Sequence, residues 1–238
     1  MVRTVVRLVA ALLTIVVVQQ SSTSASGSDR PSPPHRSQGA SWWDLSCEEG
    51  HRSTNARASG CVLTVRLRGR MERARLRQVQ YALERRDEAV RSRGRDVALH
   101  VDVDSEGGEI FSAMEIGRLL RKESASLSVP RGSRCISACV LVMMGATTRS
   151  VGGNARVGIH RPSLRDLDDP ALVDTMKESM DLYVGEMTGS HRIVDDMMTI
   201  PSESVRYLTP GELAGYGVPV EVIRTRPRGG AHPDGRGR

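Results

Sequence analysis

Between Cys61 and Leu120 the chain switches repeatedly between two hydrophobic spacings, and that switching restricts its fold more than any other feature. CVLTVRL, residues Cys61 to Leu67, has an apolar side chain at every second position, as a strand with one buried face requires. From Met71 to Arg91 the spacing becomes helical, through Leu76, Val79, Leu83 and Val90. Val97 to Val103, VALHVDV, reads as a buried strand, and Ile110 to Leu120 as a short helix with Ile110, Met114, Ile116 and Leu120 apolar. Strand, helix, strand, loop, helix is the grammar of an α/β fold, a mostly parallel sheet covered by helices. The pattern continues with a strand at Ser126 to Val129, a buried helix from Ser137 to Gly145 and a strand from Ala155 to His160. An amphipathic helix from Pro170 to Thr188 and another from about His191 to Met198 follow. Thr209-Pro210-Gly211-Glu212 puts a hydroxyl cap before a proline and an acid, a helix start. That helix ends at Gly217, and Val218 to Ile223 is a last strand.

The ends read differently. Arg3 and Arg7 precede the apolar run Leu8 to Val18, and small residues follow to a cut after Ala25, so 1–25 is expected to be an export signal. Eleven residues at ~1.5 Å rise are too short to cross about 30 Å of hydrocarbon. An uncleaved membrane anchor is the alternative if the valines before Arg7 are counted. Residues 26–40 form a Ser/Pro/Gly linker, 41–60 an N-terminal extension opened by Trp42, Trp43 and Cys47, and 224–238 a disordered basic tail. The folded domain is therefore expected over 61–223, one core rather than two. Export implies an extracytoplasmic site, periplasmic or secreted, where four cysteines are free to pair. It also removes ATP, and with it an ATPase partner. Cys47–Cys61 is the simplest disulfide.

The net charge of +6 suggests nucleic acid until it is divided. The tail holds five arginines against Asp234, Arg3 and Arg7 add two charges, and residues 26–60 cancel. Nothing remains for 61–223, so no coherent basic face is expected there, and no nucleic-acid partner.

The chemistry concentrates in three places. Ser137 lies in RCISACVLVMMGA at a helix start, His160 follows in NARVGIHRPS, and Gly107 and Gly108 follow the strand that ends near Val103. A serine hydroxyl needs a base to take its proton. The oxyanion it generates needs main-chain N–H donors. Glycine allows a turn whose amides face the pocket, and a helix start leaves amides unpaired. Gly108 and Ala138 are accordingly assigned as the two oxyanion donors, Ser137 as nucleophile and His160 as base. Cys135 and Cys139 flank Ser137. They either bridge locally, stiffening that turn, or Cys139 is buried and Cys135 pairs elsewhere. A cysteine nucleophile is the weaker option, because exported thiols oxidise. No HExxH or comparable ligand spacing is present, and nothing calls for a metal or cofactor.

DSEGGEIFSAMEIGRLL, ISACVLVMMGA, NARVGIHRPS and YLTPGELAGYGVPVEVI, taken in this order, resemble the Clp-protease/crotonase superfamily, particularly exported ClpP-like proteins. The resemblance covers about Cys61 to Ile223. It implies a spiral of ββα units, a Ser137/His160 pair acting on peptides or unfolded protein, the same oxyanion roles, and a homo-oligomer. It also locates two departures. Where the peptidases carry the aspartate that orients the histidine, this chain has Val205, leaving Glu203, Asp195 or Asp196 as third member, with Ser204 adjacent. Glu106 stands where the peptidases usually have proline, and its charge would oppose an oxyanion if it pointed inward. The functional expectation is a serine peptidase. The alternative is a catalytically weak or inactive ClpP-like scaffold used for binding or assembly. Crotonase-type thioester chemistry fits poorly, because export removes its usual substrates.

Overall fold

Alternation along Cys61–Arg68 turns Cys61, Leu63, Val65 and Leu67 into the core and leaves Val62, Thr64 and Arg66 half-buried on the opposite face. Val97–Asp104 repeats the division, with Val97, Leu99, Val101 and Val103 inside and His100, Asp102 and Asp104 outside. The structure, a computed structural model, describes residues 41–47, 60–94, 96–163 and 170–223. The expected leader, linker and basic tail, and residues 48–59 of the extension, lie outside the described residues.

In chain order the elements are β1 (Trp43–Cys47), β2 (Cys61–Arg68), α1 (Arg73–Arg93), β3 (Val97–Asp104), α2 (Ile110–Lys122), β4 (Ser126–Val129), β5 (Arg134–Ile136) and α3 (Ala138–Gly145). They continue with β6 (Thr148–Gly152), β7 (Arg156–Ile159), α4 (Pro170–Thr188), α5 (Arg192–Thr199), β8 (Arg206–Tyr207), α6 (Pro210–Gly215) and β9 (Glu221–Ile223). Six strands form one sheet in the order β1-β2-β3-β4-β6-β9. All its pairings are parallel except β1 against β2. A second, three-stranded sheet has the order β5-β7-β8, with β5 and β7 parallel and β8 antiparallel. The edge strand β1 is pinned by the expected Cys47–Cys61 disulfide, whose two residues are direct partners in the register.

α3 is the centre of the core. All eight of its residues are buried, so it reads as one apolar run without periodicity. Each large side chain there contributes about 1.5–3 kcal/mol of hydrophobic stabilisation. Its carboxyl end needs donors for carbonyls that no further turn satisfies. Arg149 supplies Nε–H to the Met143 carbonyl (2.8 Å) and a terminal N–H to that of Met144 (2.7 Å). Arg121 donates to Met144 as well (2.9 Å). Burial, with Arg121 nearby, brings the Arg149 guanidinium down to about 10. Among the described residues no helix is long and apolar enough to cross a membrane.

Candidate active site

The small sheet serves chiefly to bring two loop-end residues together. β5 runs into Ser137 and β7 runs into His160, and the two strands are parallel neighbours with Ile136 opposite Gly158. The Ser137 amide extends the ladder by donating to the Gly158 carbonyl (2.9 Å). The backbones carrying Ser137 and His160 are thus one strand spacing apart, ~4.8 Å. β5 also bridges to the end of β3: the Ser105 amide donates to the Arg134 carbonyl (2.7 Å) and the Ile136 amide to the Ser105 carbonyl (3.0 Å). The turn 105–108 is thereby fixed against Ser137.

Ser137 has φ 55° and ψ −125°, a left-handed conformation that is rare for a residue with a side chain. Such backbone costs on the order of 1–3 kcal/mol and persists only where the surroundings over-determine it. Here the surroundings are the Gly158 bond on one side and, on the other, the Ser137 carbonyl accepting from the Val140 amide (2.8 Å). The Cys135–Cys139 disulfide closes across the turn, with both cysteines wholly buried. Of the two readings of these cysteines, the local bridge is the one found.

Gly107 and Gly108 both have positive φ, 108° and 147°. A Cβ on Gly107 would stand 2.8 Å from Ser137 Cβ and 3.3 Å from the Ala138 nitrogen, which places the glycine turn directly on Ser137. Gly108 is bridged in parallel fashion by Met71, whose amide donates to the Gly107 carbonyl and whose carbonyl accepts from Glu109, both at 2.7 Å. In that arrangement Gly108's own N–H points away from Met71. Ala138 is the first residue of α3, so its amide has no acceptor within the helix. Among the described residues neither amide donates a hydrogen bond.

His160 is half-buried, and its Nδ1 lies 2.7 Å from the Arg161 carbonyl. A carbonyl only accepts, so in the neutral ring Nδ1 carries the proton and Nε2 the lone pair. The partner of this nitrogen is therefore main chain rather than any of the three expected acids. Asp195 pairs with Lys177 (3.4 Å), and Asp196 accepts from the Tyr216 hydroxyl and faces Arg206 (3.5 Å). Glu203 is exposed and accepts from Ser202 (3.1 Å). Gly158 pairs antiparallel with Tyr207 and Ile159 with Arg206, a register that one further step would extend to His160 and Val205, and Val205 packs against Gly158. Glu106 is turned outward and paired with Arg134, so its charge does not oppose an oxyanion at Gly108. No hydrogen bond joins Ser137 Oγ to His160 among the described residues. Catalytic hydrogen bonds are frequently long before substrate is bound.

Two features went unread in the sequence. Ser105 is buried, and its hydroxyl accepts from the Gly107 amide (3.1 Å), bracing the oxyanion turn. The available signal was a serine two residues ahead of a glycine, the spacing of a hydroxyl-closed turn. On the open face of the large sheet, His100 Nδ1 lies 2.8 Å from Ser126 Oγ and its Nε2 lies 3.1 Å from Asp102, whose carboxylate also accepts from Ser128 (2.5 Å). The hydrogen bond from His100, then that from Ser128, holds the Asp102 carboxyl below its ordinary value against the opposing effect of burial. This array has a serine, a histidine and an acid in hydrogen-bonded order. Ser126, however, lies within a strand paired on both sides, with no free main-chain amides converging on its hydroxyl.

No family model matches the sequence, and no curated protein does. Solved structures do match. ClpP1 from Listeria monocytogenes superposes with a TM-score of 0.52 at 19% identity, covering 68% of this chain and 92% of that one. A mutant of the 1510-N membrane-bound stomatin-specific protease gives 0.50 at 18% identity, covering 69% and 79%. At this identity the likeness is one of fold, and the architecture is ClpP/crotonase-like, as the sequence motifs imply.

Proposed function

We propose that this chain is an extracytoplasmic serine-type hydrolase of polypeptides that works through an acyl-enzyme. The observation that supports it is a serine in strained backbone at a helix start, against which the Gly107 turn packs, with no acceptor on the amides of Gly108 and Ala138 among the described residues. Ser137 Oγ attacks the substrate carbonyl carbon while His160 Nε2 takes its proton. The negative oxygen is met by the two amides. His160 then gives its proton to the leaving amine, the C–N bond breaks, and water repeats the sequence on the ester. The Arg161 carbonyl fixes the tautomer that this requires.

The ClpP-like fold and a hydrogen-bonded serine–histidine pair, Ser126 and His100, are consistent with serine-hydrolase chemistry in general. The 1510-N protein is by its title a membrane-bound stomatin-specific protease, which supports a polypeptide substrate here. Two disulfides support an oxidising compartment. Homo-oligomeric assembly is supported by the family resemblance and by exposed apolar side chains such as Leu182, 66% accessible.

A fluorophosphonate probe tests the reading. Peptide mapping is expected to find the adduct on Ser137, absent in H160A. An adduct on Ser126, or none on folded protein assembled or alone, overturns it, the latter in favour of the scaffold role.

A further inference from the structure

The carboxyl end of β2 carries an arginine cluster that the mechanism does not use. A cavity of about 190 Å³ is lined by Ser41, Trp42, Arg66, Arg68, Arg75 and Gln78, three guanidiniums with no carboxylate among the lining residues. None of the three arginines makes an ion pair among the described residues. Arg66 donates to the Ser41 carbonyl (3.0 Å) and Arg75 to Gln78 (3.0 Å), both neutral partners. Arg75 Nε is buried with no hydrogen-bond partner. Withdrawing a guanidinium from water beside two others is unfavourable unless an anion completes the site.

Its neighbourhood is a contrast. A second cavity of about 230 Å³, lined by Arg68, Gly69, Arg70, Asp104, Ser105, Glu106 and Arg134, sets two carboxylates among its three arginines. Arg70 pairs there with Glu72 (3.0 Å) and Arg134 with Glu106. Arg68 belongs to both cavities, and the second ends on Ser105 and Glu106 of the oxyanion turn. The path from these arginines to the site is short: from Arg68 the chain bends at Gly69 (φ 78°) and reaches Met71, which is bridged to Gly108, in three residues, at most ~10 Å.

We propose that the cavity of Arg66, Arg68 and Arg75 is a carboxylate subsite that holds an acidic side chain of the bound peptide about three residues from the scissile bond. This rests on the hydrolase reading for its substrate class. Guanidinium suits the task because its planar fork pairs with a carboxylate through two parallel hydrogen bonds. Trp42, in the wall, supplies a reporter.

The test uses full-length S137A, which binds without turnover, in a W43F background so that Trp42 is the sole tryptophan. Two N-acetylated heptapeptides differing only in one Glu or Gln are titrated while its fluorescence is followed. The Glu peptide is expected to bind about tenfold more tightly, with the difference vanishing in R68Q and R75Q and at high salt. R68Q alters an exposed side chain, so the comparison survives if R75Q fails to fold. Equal affinities, or a preference that R68Q leaves intact, overturn the proposal. Inorganic phosphate competing as well as the Glu peptide would also overturn it, because the site would then be a free-anion site. These readouts need no catalysis: retained Glu preference in a chain that takes no fluorophosphonate label defeats the hydrolase and leaves the binding site standing.

Discussion

Removing the bridge around the nucleophile, as C135A/C139A, separates its effect on the site from its effect on the fold. The bridge closes a loop of sequence separation 4 and Cys47–Cys61 one of 14. Loop-closure entropy assigns them about 2 and about 3 kcal/mol respectively. For a domain of this size that corresponds to losses of roughly 4–8 °C and 6–12 °C in Tm. The smaller bridge, however, spans Ser137, whose φ of 55° costs on the order of 1–3 kcal/mol. Without the bridge a relaxed turn can release that strain, and it predominates once it is favoured by about 1.4–2 kcal/mol. A difference of about 2 kcal/mol is roughly 30-fold in rate. Fluorophosphonate labelling of Ser137 is therefore expected to slow by about 10- to 30-fold in C135A/C139A. C47A/C61A is expected to label at the parent rate while melting lower. Labelling that falls in proportion to Tm in both variants, or not at all in C135A/C139A, would refute the idea that the bridge holds the turn.

V205D puts a carboxylate where one further step of the register would meet His160, at a site 36% exposed, and is expected to speed labelling about tenfold without lowering Tm; an unchanged rate means the register does not bring residue 205 to the ring. G107A forces a Cβ within 2.8 Å of Ser137 Cβ, and should abolish labelling with far-UV circular dichroism retained. Glu212 is lowered from 4.5 to about 2, first by the Thr209 amide, then by Arg206 and the Thr209 hydroxyl. Because its folded value lies below the unfolded one, its contribution is full above about pH 4.5 and is lost as pH falls toward 2. Urea midpoints of the parent and E212Q should accordingly differ most near pH 6 and converge near pH 2.5.

What was legible in the sequence follows from the length and regularity of each signal. β2, β3, β4 and the helices α1, α2, α4 and α5 lie where spacing put them, within about three residues at their ends, because each buries a face long enough to show a period, whereas α3 was legible as an apolar run and α6 from its cap. β5, with three residues, and β8, with two, are too short to show one, so the small sheet that joins Ser137 to His160 was not read. β6 was hidden for another reason. Of its two inward residues, Val151 and Arg149, the arginine looks like a surface position until the carbonyls of α3 require its guanidinium. The last strand is shorter than expected, Glu221–Ile223, because Gly217 to Val220 complete the turn after α6. At the site, Ser137, Gly108 and Ala138 were legible as a motif. The partner of His160 was not, since a main-chain carbonyl leaves no trace in residue identity.

That carbonyl changes where the rate must come from. A carboxylate both fixes the ring and stabilises the imidazolium that forms, whereas a neutral carbonyl does the first fully and the second only as a dipole. The acids nearest in sequence are committed elsewhere: Asp196 ties Tyr216 of the α6 end to Arg206 of β8, and Asp195 pairs with Lys177 of α4. Arg206 is also bonded to Glu212 (2.8 Å). This network holds β8 against β7, where Val205 packs on Gly158 and supplies no charge near His160. Oxyanion donors and binding alone retain a 10³–10⁴-fold advantage over water when a triad member is lost. The proposed Ser137/His160 dyad would therefore depend more heavily than a full triad on the rigidity of the two amides. In this chain Ser105, the paired glycines and the Cys135–Cys139 bridge all act on that one turn.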